Sequence, residues 1–337
     1  MKEALYYKKL PENRTACLLC PHNCVIRDGQ RGICSVRINQ GGSLYTEVYG
    51  RPVAINSDPI EKKPIYHFYP GYQVLSIGTL GCNLKCSFCQ NCEISQAKME
   101  DQSLERERRI DEIVLLALEK QKNIGLAYTY NEPVIFYEYM TDLAIMMHKK
   151  GLKNVMVSNG FINPEPLSQL LSLIDAFNID LKSFENDFYK KYTASKLDPV
   201  LNTIKTIFNN GNHLELTFLV IPGLNDDMDI FEKMVDWIAN ETSRKTVLHI
   251  SRYFPHYHLN LPPTPLKTID SLYYRARKKL EFVYIGNAKD NKAQDTYCPV
   301  CQTLLLKRSG YYTINEGLDK QGSCIKCNER VINYMTL

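Results

Sequence analysis

Twelve cysteines fall into three groups of four along 337 residues, and thiols grouped this way can hold metals. Cys82, Cys86 and Cys89 stand in the segment GTLGCNLKCSFCQN with C-x3-C-x2-C spacing, short enough for three thiolates to converge on one centre. An iron–sulfur cubane usually takes four cysteine ligands. With three, one iron stays open to substrate, much as a three-ligand catalytic zinc keeps an open position. A zinc knuckle is the competing reading, disfavoured because structural zinc sites fill four positions and recur as paired C-x2-C elements. Cys92, after Gln90-Asn91, reads as an incidental free thiol.

The other two groups flank this one. Cys298-x2-Cys301 and Cys324-x2-Cys327 are two knuckles with Gly310 and Gly322 between them, which predicts four-thiolate tetrahedral coordination of zinc or of a single iron. Chelation would supply folding energy to a module too small to fold alone. A structural ribbon, an electron relay and a docking module all remain open for it. Cys17-x2-Cys20-x3-Cys24 followed by Cys34 is the third set, with His22 as an alternative ligand; zinc or a second iron–sulfur cluster would satisfy it.

Elements must position these groups. From Val74 to Gly286 short apolar runs alternate with stretches of helical periodicity, the pattern of parallel strands and crossover helices. Strands are expected at 74–80, 124–129, 154–158, 176–181, 214–220, 246–251 and 282–286, and helices at 110–121, 134–150, 199–210 and 228–240, with Gly151 and Gly211 as C-terminal caps. The fold class is α/β: a full or partial (β/α) barrel with small cysteine-rich metal-binding lobes at both ends. Its site gathers at the C-terminal ends of the strands, and the central cysteines follow the first core strand directly. The expected division is residues 1–60 as N-terminal lobe and connector, 66–290 as barrel core, and 291–337 as a zinc-ribbon or rubredoxin-like module.

Bulk properties narrow the setting. The 41 basic and 37 acidic residues leave a formal charge of +4, so nucleic-acid binding is not indicated. No run approaches the ~18 apolar residues of a membrane span, and the start, MKEALYYKKLPENR, lacks a signal-peptide core. Twelve cysteines without an export signal fit metal ligation in a reducing cytoplasm better than disulfides.

The C-x3-C-x2-C loop with Phe88 just before its third cysteine resembles the radical SAM superfamily. The resemblance implies a 4Fe–4S cluster whose open iron binds S-adenosylmethionine (SAM), an external electron donor, and a 5′-deoxyadenosyl radical that abstracts hydrogen from a protein, peptide or small-molecule substrate. It also implies SAM-binding residues beside Phe88. Glu132, in Tyr128-Thr129-Tyr130-Asn131-Glu132-Pro133, resembles the family's glutamate that accepts from the methionine amine, although the preceding glycines are absent and a helix N-terminal acid is the bland alternative. Ser158-Asn159-Gly160 and Asp180-Leu181-Lys182 resemble elements of pyruvate formate-lyase activating enzymes that lie beside SAM. His249 reads either as a SAM contact or as a satisfied core histidine. Across nearly the whole chain, CLLCPHNC, GTLGCNLKCSFCQN, AYTYNEP, NIDLKSF, VIPGLND, YIGN and the terminal ribbon resemble the radical SAM member of the AmmeMemoRadiSam system, which implies association with that system's other proteins. An activase that installs a glycyl radical on a partner protein is the nearest rival function, and a non-catalytic metal-binding interaction protein a more distant one.

Overall fold

A computed structural model of the chain describes residues 1–97, 99, 107–288 and 292–335. Its central sheet has eight strands that neighbour one another in chain order: β1 (Ala54–Pro59), β2 (Gln73–Gly78), β3 (Asn123–Tyr128), β4 (Lys153–Ser158), β5 (Ala176–Asp180), β6 (His213–Val220), β7 (Val247–Arg252) and β8 (Val283–Gly286). From β2 to β8 every pairing is parallel. Among the described residues β8 does not pair back to β1, so the barrel is partial. Parallel strands covered on both faces carry little polar surface; all six residues of β3 are buried, which is why these segments read as unbroken apolar runs.

Among the described residues six helices of seven or more residues accompany the strands: α1 (Ile110–Glu119), α2 (Tyr137–Lys149), α3 (Pro164–Leu170), α4 (Leu197–Asn209), α5 (Met228–Glu241) and α6 (Leu266–Arg277). Asp227 opens α5 by accepting from the backbone N–H groups of Asp229 and Ile230, satisfying two of the donors a helix start leaves free. Gly151 and Gly211 follow α2 and α4 with φ of +73° and +84°, a left-handed stop that costs glycine no Cβ clash. Helices α3 and α6 were not expected from the sequence. In α6 only Ile269, Leu272 and Ala276 are buried, a thin stripe in an otherwise polar segment.

Strand β1 also escapes the sequence pattern. It pairs antiparallel with β2, setting Asp58 opposite Val74, but its AINSDP sequence exposes Asn56 and Ser57 and shows no apolar alternation. A break at residue 60 therefore separates from the sheet a strand that belongs to it. The rest of the N-terminal region forms two three-stranded antiparallel sheets. Its Cys17, Leu19, Val36 and Leu44 lie in the same apolar cluster as Leu126, Phe136 and Tyr137 of the barrel, and the buried Arg37–Glu138 ion pair joins it to α2.

The C-terminal segment is a three-stranded antiparallel sheet, Thr296–Tyr297, Leu304–Ser309 and Tyr312–Asn315. It has a core of its own, with Leu305, Leu306, Leu318 and Ile332 around Cys298 and Cys324. The buried Arg308 guanidinium lies 4.1 Å from the Tyr66 ring centroid and donates to the Tyr66 carbonyl (3.0 Å) and Thr296 Oγ1 (2.7 Å), docking this module on the barrel. The expected boundary at 290/291 lies outside the described residues. No helix among the described residues is long and apolar enough to cross a membrane.

Candidate active site

The loop leaving β2 is fixed before it reaches its cysteines. Asn131, just past β3, accepts from Thr79 N–H (3.1 Å) and donates to the Gly81 carbonyl (2.9 Å) and Thr79 Oγ1 (3.1 Å). Further on, Lys85 and Ser87 N–H donate to the carbonyls of Thr193 (2.9 Å) and Tyr192 (3.0 Å), and Ser87 accepts from His258 N–H (3.0 Å). The irregular loop thus finds partners for its backbone on three sides, as buried backbone must.

Cys82, Cys86 and Cys89 line one cavity of about 530 Å³ at the C-terminal ends of the strands, a size typical of small-molecule sites. Of the seven side chains expected to hold SAM, Phe88, Glu132, Ser158, Asn159, Asp180 and Lys182 line the same cavity. Glu132 is buried and accepts from Ser158 Oγ (2.7 Å), Val134 N–H (3.0 Å) and Asn159 N–H (2.8 Å). Burial outweighs these donors and raises its pKa to about 7. A carboxylate has about four acceptor positions, so it keeps capacity for one cationic donor. Asn159 Nδ2 also donates to Asn83 Oδ1 (2.9 Å) and reaches 3.9 Å from Cys82 Sγ.

Lys182 pairs with Asp180 at 2.8 Å. Burial works against its charge, but the carboxylate and the Cys86 sulfur prevail and raise its pKa. Its ammonium lies 6.0 Å from the Phe88 ring centroid. Burial pushes the Cys86 thiol up to about 12 and the Cys82 thiol well above its ordinary value, so thiolates here need a cationic centre to hold them.

His249, the seventh residue expected at SAM, does not line this cavity. Its Nε2 lies 2.6 Å from Glu215 Oε2, and both side chains are buried. Glu215 also meets His213 Nε2 (2.9 Å) and accepts from the N–H groups of Tyr66 (2.9 Å) and His67 (2.7 Å). Burial alone would raise its pKa, yet the two histidines hold it well below the carboxylate range. A buried carboxylate needs such donors, and His249 is consumed in supplying one. Cys92 also stands apart from the other three, with its sulfur 3.5 Å from His256 Nε2.

Four further lining residues had no signal in the sequence: Lys62, Lys63, Tyr130 and Tyr311. Tyr130 Oη donates to Asp58 Oδ2 at 2.5 Å, Lys63 Nζ to the same atom at 2.6 Å, and Lys62 Nζ to Oδ1 at 2.8 Å. Asp58 sits on β1, whose polar sequence hid it, and Tyr311 comes from the C-terminal module, remote in sequence. Asn131 was visible in the AYTYNEP segment but had no signal of its own.

In the C-terminal module Cys298 Sγ lies 3.5 Å from Cys327 Sγ and Cys301 Sγ 3.6 Å from Cys324 Sγ. All four sulfurs fall within 4.8 Å of one another. Hydrogen bonds from Thr303 bring the Cys301 thiol down to about 6, while burial and the neighbouring cysteines push the Cys327 thiol up to about 12. All twelve cysteines are free thiols.

Comparison with known proteins agrees with this geometry. Residues 76–238 match the radical SAM superfamily. An uncharacterized protein of Methanocaldococcus jannaschii is 40% identical over 98% of this chain and 99% of its own length. The chain belongs to the radical SAM superfamily. Members of this superfamily are enzymes that use a 4Fe–4S cluster and SAM. The (2S)-3-sulfopropanediol dehydratase activating enzyme of Klebsiella oxytoca is 26% identical over 36% of this chain and 38% of that enzyme, so the match spans well under half of the activating enzyme's length. Streptococcus suis SuiB bound to S-adenosylmethionine superposes on this radical SAM enzyme with a TM-score of 0.51, covering 68% of this chain and 53% of that one at 13% identity, a likeness of fold.

Proposed function

We propose that Cys82, Cys86 and Cys89 hold the 4Fe–4S cluster, and that Glu132, Ser158, Asn159, Asp180, Lys182 and Phe88 hold SAM. The observation that carries this reading is the convergence of three thiols and these six side chains on one cavity. Held by these three thiolates, a 4Fe–4S cluster would supply the electron for reductive cleavage of the SAM carbon–sulfur bond, the superfamily's route to methionine and a 5′-deoxyadenosyl radical. Glu132 offers its remaining acceptor position to the SAM ammonium, with Ser158 and Asn159 holding the carboxylate in place. The Asp180–Lys182 pair presents polar groups beside Phe88, and Lys182 partly offsets the negative charge of the cluster thiolates.

Likeness to an activating enzyme favours a protein partner as substrate, the second reading within the same chemistry; association with the other AmmeMemoRadiSam proteins rests separately on the motif resemblance to that system. The C-terminal cysteines hold zinc or a single iron: tetrahedral Zn–S bonds of ~2.3 Å set sulfurs just under ~4 Å apart, close to the two distances found there. Free thiols and cluster chemistry fit a cytoplasmic setting with an external electron donor. The test is anaerobic reconstitution with iron and sulfide, then reduction with SAM. Equal amounts of 5′-deoxyadenosine and methionine are expected, and cluster-loaded protein that forms neither overturns the reading. A glycyl radical seen by electron paramagnetic resonance (EPR) on an added partner protein would select the activase form.

A further inference from the structure

Beyond the SAM cavity and the C-terminal module, one more gathering of thiols is left unused by the proposed chemistry. Cys17, Cys20, Cys24 and Cys34 line a small apolar cavity between the N-terminal lobe and the barrel, closed on the barrel side by Val134 and Ile135. Cys17 and Cys34 are buried and the other two half-buried, all as free thiols.

Distances between sulfurs distinguish the kind of centre. The C-terminal four lie within 4.8 Å of one another, the tight arrangement one tetrahedral ion needs. Among the described residues no three of the N-terminal sulfurs draw that close, and neither do Cys82, Cys86 and Cys89. The N-terminal set therefore shares the wider spacing of the cluster loop. Four sulfurs not gathered that tightly suit a cube of several irons, whose ligand sulfurs stand further apart than those on one tetrahedral ion.

The surroundings suit such a centre. Arg37 is 1% exposed, directs Nη1 towards Cys17 Sγ at 3.9 Å, and keeps Nε buried without a partner. Donors to ligand sulfur are a principal means of tuning a cluster. The set also abuts the SAM loop. His22 Nε2 lies 2.7 Å from the carbonyl oxygen of Asn83, the residue after Cys82, and Asn83 forms part of this cavity's wall. Gly81, with φ of +86°, packs so closely that a Cβ there would stand 2.5 Å from the Cys34 carbonyl oxygen.

We infer that Cys17, Cys20, Cys24 and Cys34 hold a second iron–sulfur cluster, ligated by four cysteines and abutting the SAM loop through His22, Asn83 and Gly81. With every iron ligated by the protein this centre does not chelate SAM. It takes one electron from a one-electron donor and passes one on, with no atom transferred.

The test uses the full chain with Cys82, Cys86 and Cys89 all replaced by alanine and reconstituted anaerobically with iron and sulfide. It should retain about four irons and four acid-labile sulfides, and once reduced give a cluster EPR signal that SAM does not alter. Absence of acid-labile sulfide, with or without zinc in its place, overturns the inference. A second variant, Cys20→Ala with Cys24→Ala, should lose about half the sulfide of the unaltered chain while its remaining signal still responds to SAM. Full sulfide retention there also overturns the inference. C-terminal metal retained in both variants marks a folded chain, and an iron in that module brings no sulfide to the count. The sulfide count is independent of SAM cleavage, so this inference and the proposed reaction fail separately.

Discussion

Glu132 is an acid held where its charge is expensive. Three hydrogen bonds steady its carboxylate, yet burial leaves its pKa near 7, well above the ordinary ~4.3 of glutamate. The free carboxyl therefore takes up a proton as pH falls through neutrality, and the protonated form cannot pair with a SAM ammonium. SAM affinity of cluster-loaded protein, followed by EPR titration, should weaken as pH drops from about 8 to about 6, and the profile should change in Glu132→Gln, where only SAM's own amine (~7.8) titrates. That variant should bind SAM roughly tenfold to a hundredfold more weakly at pH 8, the worth of a charge-assisted hydrogen bond. An unchanged pH profile in the variant would remove Glu132 from the role. Asn131 acts at one remove, by pinning Thr79 and Gly81. Asn131→Ala should lower the rate of SAM cleavage while the three cysteines remain, and rescue by Asn131→Asp, which can still accept from Thr79 but cannot donate to Gly81, should be incomplete.

At the scale of elements, strand polarity decided what could be read from sequence. Strands β2 to β8 were legible because burial on both faces makes them apolar, and the cysteine loop was legible because its spacing is short-range. Strand β1 was not, since AINSDP at an exposed edge looks like a connector, and with it went Asp58 and the contacts of Lys62, Lys63 and Tyr130. His249 was ambiguous because its role depends on Glu215, 34 residues away in sequence. That pair gives an element-level prediction. The folded-state pKa of Glu215 is depressed, so its contribution to stability is present above the unfolded value of ~4.3 and is lost as pH falls through the folded value. Glu215→Gln should cost about 3 kcal/mol at pH 7 and flatten the acid side of a stability–pH curve measured by urea unfolding. Equal acid sensitivity in the variant would mean that Glu215 does not bridge β6, β7 and the Tyr66–His67 segment as described.

The whole molecule assembles its cavity from three sources: strand ends and loops of the barrel, the edge strand and its following turn, and the C-terminal module through Tyr311. Thr313 Oγ1 donates to Glu61 Oε1 at 2.6 Å and, with Arg308, seats that module. Since metal chelation contributes folding energy to small modules, Cys324→Ser should expose Lys307 and Arg308 to trypsin and leave the barrel as a protected fragment in a limited-proteolysis digest. A module that resists digestion without its metal would refute that dependence. Its partnership with the barrel could not be foreseen, because the ribbon spacing announces a fold and not a docking place. The most direct test of the central claim is SAM cleavage by Cys86→Ala, assayed anaerobically after reconstitution beside the unaltered chain. No 5′-deoxyadenosine is expected from the variant, with C-terminal metal content unchanged; cleavage retained at the unaltered rate would contradict the assignment of the cluster to Cys82, Cys86 and Cys89.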